Sequence, residues 1–360
     1  MKRLTLTGSA KEIGYQHGYE GKDEVHQSLQ TYEKLFYGYK KLNWKAAKEI
    51  ALTHMDAIEK YNPAFIEEMN GAAEGAGVDF EDILVLNTRS EIALTTTSEG
   101  PTFSDGCTSI GITSPITNQT MIGQNWDWKA SQTKSLLLLH IEQENLPSIK
   151  MVTEGGIIGK IGMNSAGIGV CFNALLTDQK SNQVPVHLGL RSVLNAYTLE
   201  EAISSIHDSQ MASAANFLIG SDDGRGNGLA MNVEVSPFGI DLLGGETGKV
   251  VHTNHLCSKK IQQNVKDLNT FKQTDSLLRC KRAEQLINEK LYQKKPINEE
   301  TLKTWFADTF NAPNSINHFE NKRAPEHRQI ETVFSIVMNL TERHASVCVG
   351  KPSEAAFHHI

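Results

Sequence analysis

The residues best able to do chemistry in this chain gather around one cysteine. Cys107 stands in the run Ser104-Asp105-Gly106-Cys107-Thr108-Ser109-Ile110, directly after an Asp-Gly pair. Thr108, Ile110 and Ile112 alternate with Ser109 and Gly111, which is the period of a strand that begins at the cysteine. Most cysteines are small buried hydrophobes. Here Gly106 gives the upstream peptide bond conformations closed to other residues, and hydroxyls at 108 and 109 suit packing poorly. A second run, Thr120-Met121-Ile122-Gly123-Gln124-Asn125-Trp126-Asp127-Trp128, follows a turn with Ser114-Pro115 and Asn118. The two runs read as a β-hairpin with Cys107 at its open end. Asp127 near the end of the second run offers a carboxylate, although turn aspartates are as common at strand ends. Val251-His252-Thr253-Asn254-His255 offers an amide and two imidazoles at the end of another strand. His252 and His255 are three residues apart with no evident third ligand, so they read as core or solvent histidines and no metal or cofactor is expected. Gly155-Gly156 to Gly159 lacks the Gly-Lys-Ser/Thr ending of a phosphate loop.

The elements that must position these groups follow from the pattern. Residues 1 to about 100 read as mostly helical. Ser9 with Glu12 forms a capping-box signature, with Gly18 and Gly21 weakening the helix behind it. Residues 44–61 carry apolar side chains at helical spacing and read as one helix. Pro63 suits the first turn of the next helix, which the Gly/Ala-rich run 71–77 ends. Asp79 opens a short helix, and 95–102 reads as an exposed loop leading to Cys107. Strands then follow at 136–141, 149–153, 157–163 and 168–172 as a meander. Helices at 185–196 and 198–207 come next, the second opened by Thr198 with Glu201. Strands return at 216–220, 229–235, 239–243 and 249–253. Helices near 276–291 and from 298 or 299 precede last strands at 331–339 and 345–350. Helices, strands, helices and strands in blocks suggest two sheets covered by helices, an α+β arrangement without βαβ crossovers.

Composition narrows the function classes. The chain has 360 residues, 39% hydrophobic and 21% charged, which suits a globular protein with a sizeable core. The net charge of −7 leaves no electrostatic footprint for nucleic acid. The N-terminus has no apolar stretch of a signal peptide, and the longest apolar run, 136–139, cannot span a bilayer. Five scattered cysteines without a CxxC pair argue against a disulfide framework or a structural zinc site, and fit a cytoplasmic protein.

Asp105-Gly106-Cys107-Thr108-Ser109 followed by Gly123-Gln124-Asn125-Trp126-Asp127 resembles the isopenicillin N acyltransferase (acyl-CoA:6-aminopenicillanate acyltransferase) family. That family is a self-cleaving branch of the N-terminal-nucleophile (Ntn) hydrolases. Residues 71–77, 82–91, 155–167, 251–255 and 332–338 carry further motifs of it in the expected order, so the resemblance covers most of the chain. It implies a single four-layer αββα sandwich over 1–360, cut at Gly106–Cys107 into a mostly helical piece 1–106 and a catalytic piece 107–360 that remain associated. It implies Cys107 as nucleophile, its own α-amine as base, Asp127 as an orienting carboxylate and Asn254 as an oxyanion-hole amide. An arginine near the last core strand is also implied, for which Arg328 is the candidate, with Arg323 nearby. The substrate would be a small acyl-amide or an acyl-CoA donor, handled through a thioester. An amidase that never uses acyl-CoA stands as one alternative. A non-catalytic or unprocessed binding protein of the same fold stands as another.

Overall fold

The computed structural model describes residues 1–93, 106–207, 210–326 and 329–360. Strands are β1 (Lys2–Gly8), β2 (Thr108–Ile112), β3 (Met121–Trp128), β4 (Leu136–Gln143), β5 (Ile149–Glu154), β6 (Ile161–Asn164) and β7 (Ile168–Ala174). After two helices come β8 (Ala215–Asp222), β9 (Gly228–Ser236), β10 (Gly239–Leu243) and β11 (Lys249–His252). The last are β12 (Glu331–Asn339), β13 (His344–Val349) and β14 (His358–His359). They form an eight-stranded sheet in the order β1-β4-β5-β6-β7-β8-β9-β10 and a six-stranded sheet in the order β11-β2-β3-β12-β13-β14. Every described pairing between strands of these sheets is antiparallel except β1 with β4.

The centres of the two sheets pack face to face, with β2 and β3 over β7, β8 and β9. Helices Leu277–Tyr292 and Glu299–Phe306 cover the outer face of the smaller sheet. Helix Val186–Asn195 and the N-terminal helices cover the larger one. The result is the α+β, four-layer αββα arrangement expected.

The alternation along β3 explains its unusual sequence. Gln124 points across the sheet interface and clamps Phe172 of β7, accepting from its N–H at 2.6 Å and donating to its carbonyl at 2.7 Å. Asn125 points the other way and donates to the carbonyls of Phe306 and Ile316, each at 2.8 Å. Ser109 on β2 adds a second bridge between sheets, donating to Asn173 Oδ1 at 2.6 Å. Buried polar groups need such partners, and each bond here also fixes the register of one layer on the next.

The described N-terminal third is mostly helical, as expected, and two finer expectations are corrected. It opens with β1, a short strand whose polar side chains mask the pattern and whose buried residues are Leu4 and Leu6. Residues 44–61 form two helices, Trp44–Leu52 and Met55–Tyr61, broken at Thr53-His54. His54 sits at the break, where its ring bonds the carbonyl of Gln183 at 2.7 Å and ties it to the segment before helix Val186–Asn195. The Gly/Ala-rich run does not end its helix. Helix Pro63–Ala76 runs through it and stops at Gly77, whose φ of +70° favours glycine. Its glycines instead let it touch helix Ala10–Glu20: a Cβ on Gly71 would lie 2.1 Å from the Lys11 carbonyl oxygen, and one on Gly18 would lie 2.0 Å from that of Ala72. The capping box at Ser9 and Glu12, Pro63 in the first turn and the Asp79 cap stand as expected. Thr198 caps its helix by accepting from Glu201 N–H, but the Glu201 carboxylate returns to Tyr197 N–H. The expected loop at 95–102 lies outside the described residues.

Helix propensity alone favours alanine over glycine by about 1 kcal/mol. Contact between backbones should reverse that sign at Gly71. Gly71→Ala is expected to lose about 1–3 kcal/mol in urea unfolding; a rise in stability would mean the two helices do not meet as described.

Candidate active site

Cys107 immediately precedes β2, fully buried, with Gly106 against Asp127. A Cβ built on Gly106 would sit 3.0 Å from Asp127 Oδ2 and 3.1 Å from Ile330 Cδ1, so the glycine matches a close approach. Asp127 is placed by the β3–β12 pairing, opposite Thr332. Thr332 Oγ1 donates to Asp127 Oδ1 at 2.6 Å and accepts from the His318 N–H at 2.8 Å.

Asn254 lies just beyond β11, which pairs with β2. Its Oδ1 accepts from the Cys107 N–H at 2.7 Å and from Arg279 Nη2 at 3.1 Å. Its Nδ2 donates to the Ala174 carbonyl at 3.1 Å. Two donors on one end and a carbonyl on the other determine which way the amide faces. The amide expected at the oxyanion thus meets Cys107 through its carbonyl end.

Arg279 is the residue that the sequence reading missed. It lies on helix Leu277–Tyr292 and is buried. Its Nε donates to Asp275 at 2.6 Å, and its Nη1 to the Cys107 carbonyl at 2.6 Å and to Thr108 Oγ1 at 3.0 Å. Burial works against this charge, but Asp275, with Asp127 and Cys107 adding to it, holds the guanidinium above its usual pKa. The signal was present: Arg279 interrupts the apolar stripe that continues at Ala283 and Ile287, with Asp275 one turn earlier. Arg328, the arginine candidate, lies outside the described residues. Arg323 is exposed in the turn before β12.

Behind the hairpin sits a buried charged cluster. Lys160 Nζ donates to Glu154 and lies 3.3 Å from the centroid of the Trp126 ring. Arg89 Nη2 is 3.5 Å from Glu154, and Tyr32 and Gln132 donate to the same carboxylate. Burial opposes ionisation of Glu154, but Lys160 and Arg89 hold it down at about 2. Burial also pushes Lys160 down to about 7; Glu154 resists the shift, the like charge of Arg89 assists it, and Cys107 is within electrostatic reach.

A cleft of about 600 Å³ opens nearby, lined by Thr31, Lys34, Lys129, Glu326 and Gln329 among others. Lys129 is two residues beyond Asp127, and Gln329 adjoins the Ile330 that packs on Gly106. None of Cys107, Asp127, Asn254 and Arg279 lines the cleft, which reaches the site only through these sequence neighbours. Its size is that of a small-molecule site.

The family model described as "Acyl-coenzyme A:6-aminopenicillanic acid acyl-transferase" matches residues 116–354. The "Acyl-coenzyme A:6-aminopenicillanic-acid-acyltransferase 40 kDa form" of Emericella nidulans is 34% identical over 359 residues, covering 98% of this chain and 94% of that protein. The chain belongs to the acyl-coenzyme A:6-aminopenicillanic acid acyltransferase family. The resemblance carried by the motifs is therefore a family relationship. The matched segment includes Asp127 and Asn254, while Cys107 precedes it and falls within the longer alignment. Two solved structures also align. Penicillin V acylase from Agrobacterium tumefaciens has a TM-score of 0.44 at 14% identity, over 68% of this chain and 83% of that one. Conjugated bile acid hydrolase from Clostridium perfringens has 0.44 at 13%, over 71% and 92%. Among the described residues of this family member no helix is long and apolar enough to cross a membrane.

Removing one partner of a buried ion pair costs about 3–5 kcal/mol. Arg279→Met, which takes the guanidinium from Asp275, is expected to lose stability in that range by urea unfolding. A loss of about 1 kcal/mol or less, as for an exposed pair, would contradict the buried clamp.

Proposed function

We propose that this chain is a self-processing N-terminal-cysteine enzyme that transfers or hydrolyses a small acyl group through a thioester on Cys107. The observation that carries the reading is the clamp on both backbone groups of Cys107. Asn254 Oδ1 accepts from its N–H and Arg279 donates to its carbonyl.

In the processing step Cys107 Sγ attacks the carbonyl carbon of Gly106. The C–N bond breaks, the nitrogen takes a proton and becomes the α-amine of Cys107, and the Gly106 acyl group passes to sulfur. Water then hydrolyses the thioester. Asp127, which Thr332 holds against Gly106, would orient the proton transfers. Pieces 1–106 and 107–360 would stay together as one domain, because β1 is the edge strand paired to β4.

In turnover the freed α-amine takes the Sγ proton, and the thiolate attacks the substrate's acyl carbon. An α-amine has a pKa of about 7.7–8.0, close enough to neutrality to act as base. Asn254 Oδ1 would hold that amine. Asn254 Nδ2 spends one N–H on the Ala174 carbonyl, and its second N–H would donate to the oxyanion. Arg279 positions the cysteine and Asn254 through its fork.

An acyl-CoA donor is favoured by the activity for which the Emericella nidulans relative is named and by Lys34, Lys41 and Lys129 on the cleft. These would face the phosphates of such a donor. A cytoplasmic site of action is favoured by five cysteines without a disulfide.

Intact-mass measurement of freshly translated protein, in a protease-free system, tests the reading. Fragments 1–106 and 107–360 should appear at a rate independent of protein concentration. Cys107→Ala should abolish both cleavage and turnover, and Asn254→Ala should slow turnover by about 100- to 1,000-fold. Turnover should rise with pH as the α-amine loses its proton. One uncut chain, or normal turnover by Cys107→Ala, would favour the binding-protein alternative or another nucleophile.

A further inference from the structure

A second cluster of reactive side chains lies on the far side of the Asn254 segment. Glu234 on β9 and His252 at the end of β11 are buried, and Cys257 five residues later is exposed. One ligand atom from each lies within 4.8 Å of the others, the one such trio of His, Cys, Asp or Glu among the described residues. His252 Nδ1 is 2.7 Å from the Thr253 carbonyl oxygen, which can only accept. That nitrogen therefore carries a proton, and Nε2 is the one turned into the cluster, 2.8 Å from Glu234 Oε1. A backbone carbonyl that fixes the far nitrogen is the outer shell that orients a ligating histidine. The carboxylate is fixed as well, by the N–H groups of Cys257 at 2.7 Å and Ser258 at 2.9 Å.

We propose that Glu234, His252 and Cys257 form a binding site for Zn2+ or a similar borderline-soft divalent cation, with solvent as the fourth ligand. A thiolate, an imidazole and a carboxylate suit such an ion and not Mg2+ or Ca2+, which take oxygen. Ligands 2.0–2.3 Å from a tetrahedral ion lie about 3.3–3.8 Å apart, so the trio needs only local adjustment. The Glu234–His252 pair opens, and the Cys257 thiol turns from the His255 carbonyl, 3.7 Å away, toward the ion. On binding, the thiol proton and the Nε2 proton that His252 donates to the Glu234 carboxylate pass to water, and no other bond changes. Asn254, which holds the Cys107 N–H, lies between the second and third ligands. The ion would staple both ends of that segment.

The test uses the full chain, stripped with a chelator and titrated with Co2+ as a spectroscopic probe for Zn2+. One equivalent should produce a thiolate-to-cobalt charge-transfer band that Zn2+ displaces. The band should persist in Cys107→Ala, which separates it from the cysteine of the proposed reaction, and vanish in Cys257→Ser. Cys257 is on the surface, so that variant should fold with an unchanged circular-dichroism spectrum. Glu234→Gln should weaken Zn2+ by at least about 10-fold, since even outer-shell losses cost 10- to 100-fold. No band at stoichiometric Co2+, or a band that survives in Cys257→Ser, would reduce the cluster to a buried ion pair beside a surface thiol.

Discussion

The buried Arg279 guanidinium is the interaction on which the site depends. It bonds Asp275 within its own helix stretch, the carbonyl of Cys107, the hydroxyl of Thr108 and the side chain of Asn254. Through it a helix, the start of β2 and the end of β11 share one fixed point. Taking a charge out of water costs several kcal/mol, which only good geometry and full hydrogen bonding offset. Such a cost is reasonable where position matters more than net stability. A lysine would keep the charge but not the planar fork that serves several acceptors at once.

Around that point the sheets supply alignment by alternation. On β3, Gln124 reaches the opposing sheet while Asn125 reaches the covering helix, and Asp127 is delivered beside Gly106. The same strand buries Trp126 beneath Lys160 and so joins the front of the site to the Glu154 cluster behind it. One eight-residue strand thereby connects both sheets, a helix layer and two groups of charges. That density of roles explains why so polar a run sits wholly inside the protein.

Local signals are legible in the sequence and distant ones are not. Capping residues, Pro63, the hairpin from Cys107 to Trp128 and the meander after it declare themselves over a few residues, because each rests on backbone chemistry. The break at Thr53-His54 is hidden, and the His54 ring there bonds Gln183, far along the chain. The glycines of 71–77 read as a helix end, when their use is contact with another helix. Arg279 was passed over for arginines nearer the last strand, since 172 residues separate it from Cys107. Likewise Glu234 completes a cluster with His252 and Cys257 only because β9 of one sheet packs against β11 of the other. Spacing along the chain cannot report a ligand delivered by a neighbouring strand.

The central claim is that sulfur of Cys107 carries the acyl group. The direct measurement is rapid acid quench during turnover of a short-chain acyl-CoA, followed by peptide mapping with mass spectrometry. The acyl mass is expected on a peptide that begins at Cys107, with a free α-amine and with a bond that neutral hydroxylamine cleaves. Acyl mass on another residue such as Cys257, or turnover with Cys107 unmodified under every quench time, would contradict it.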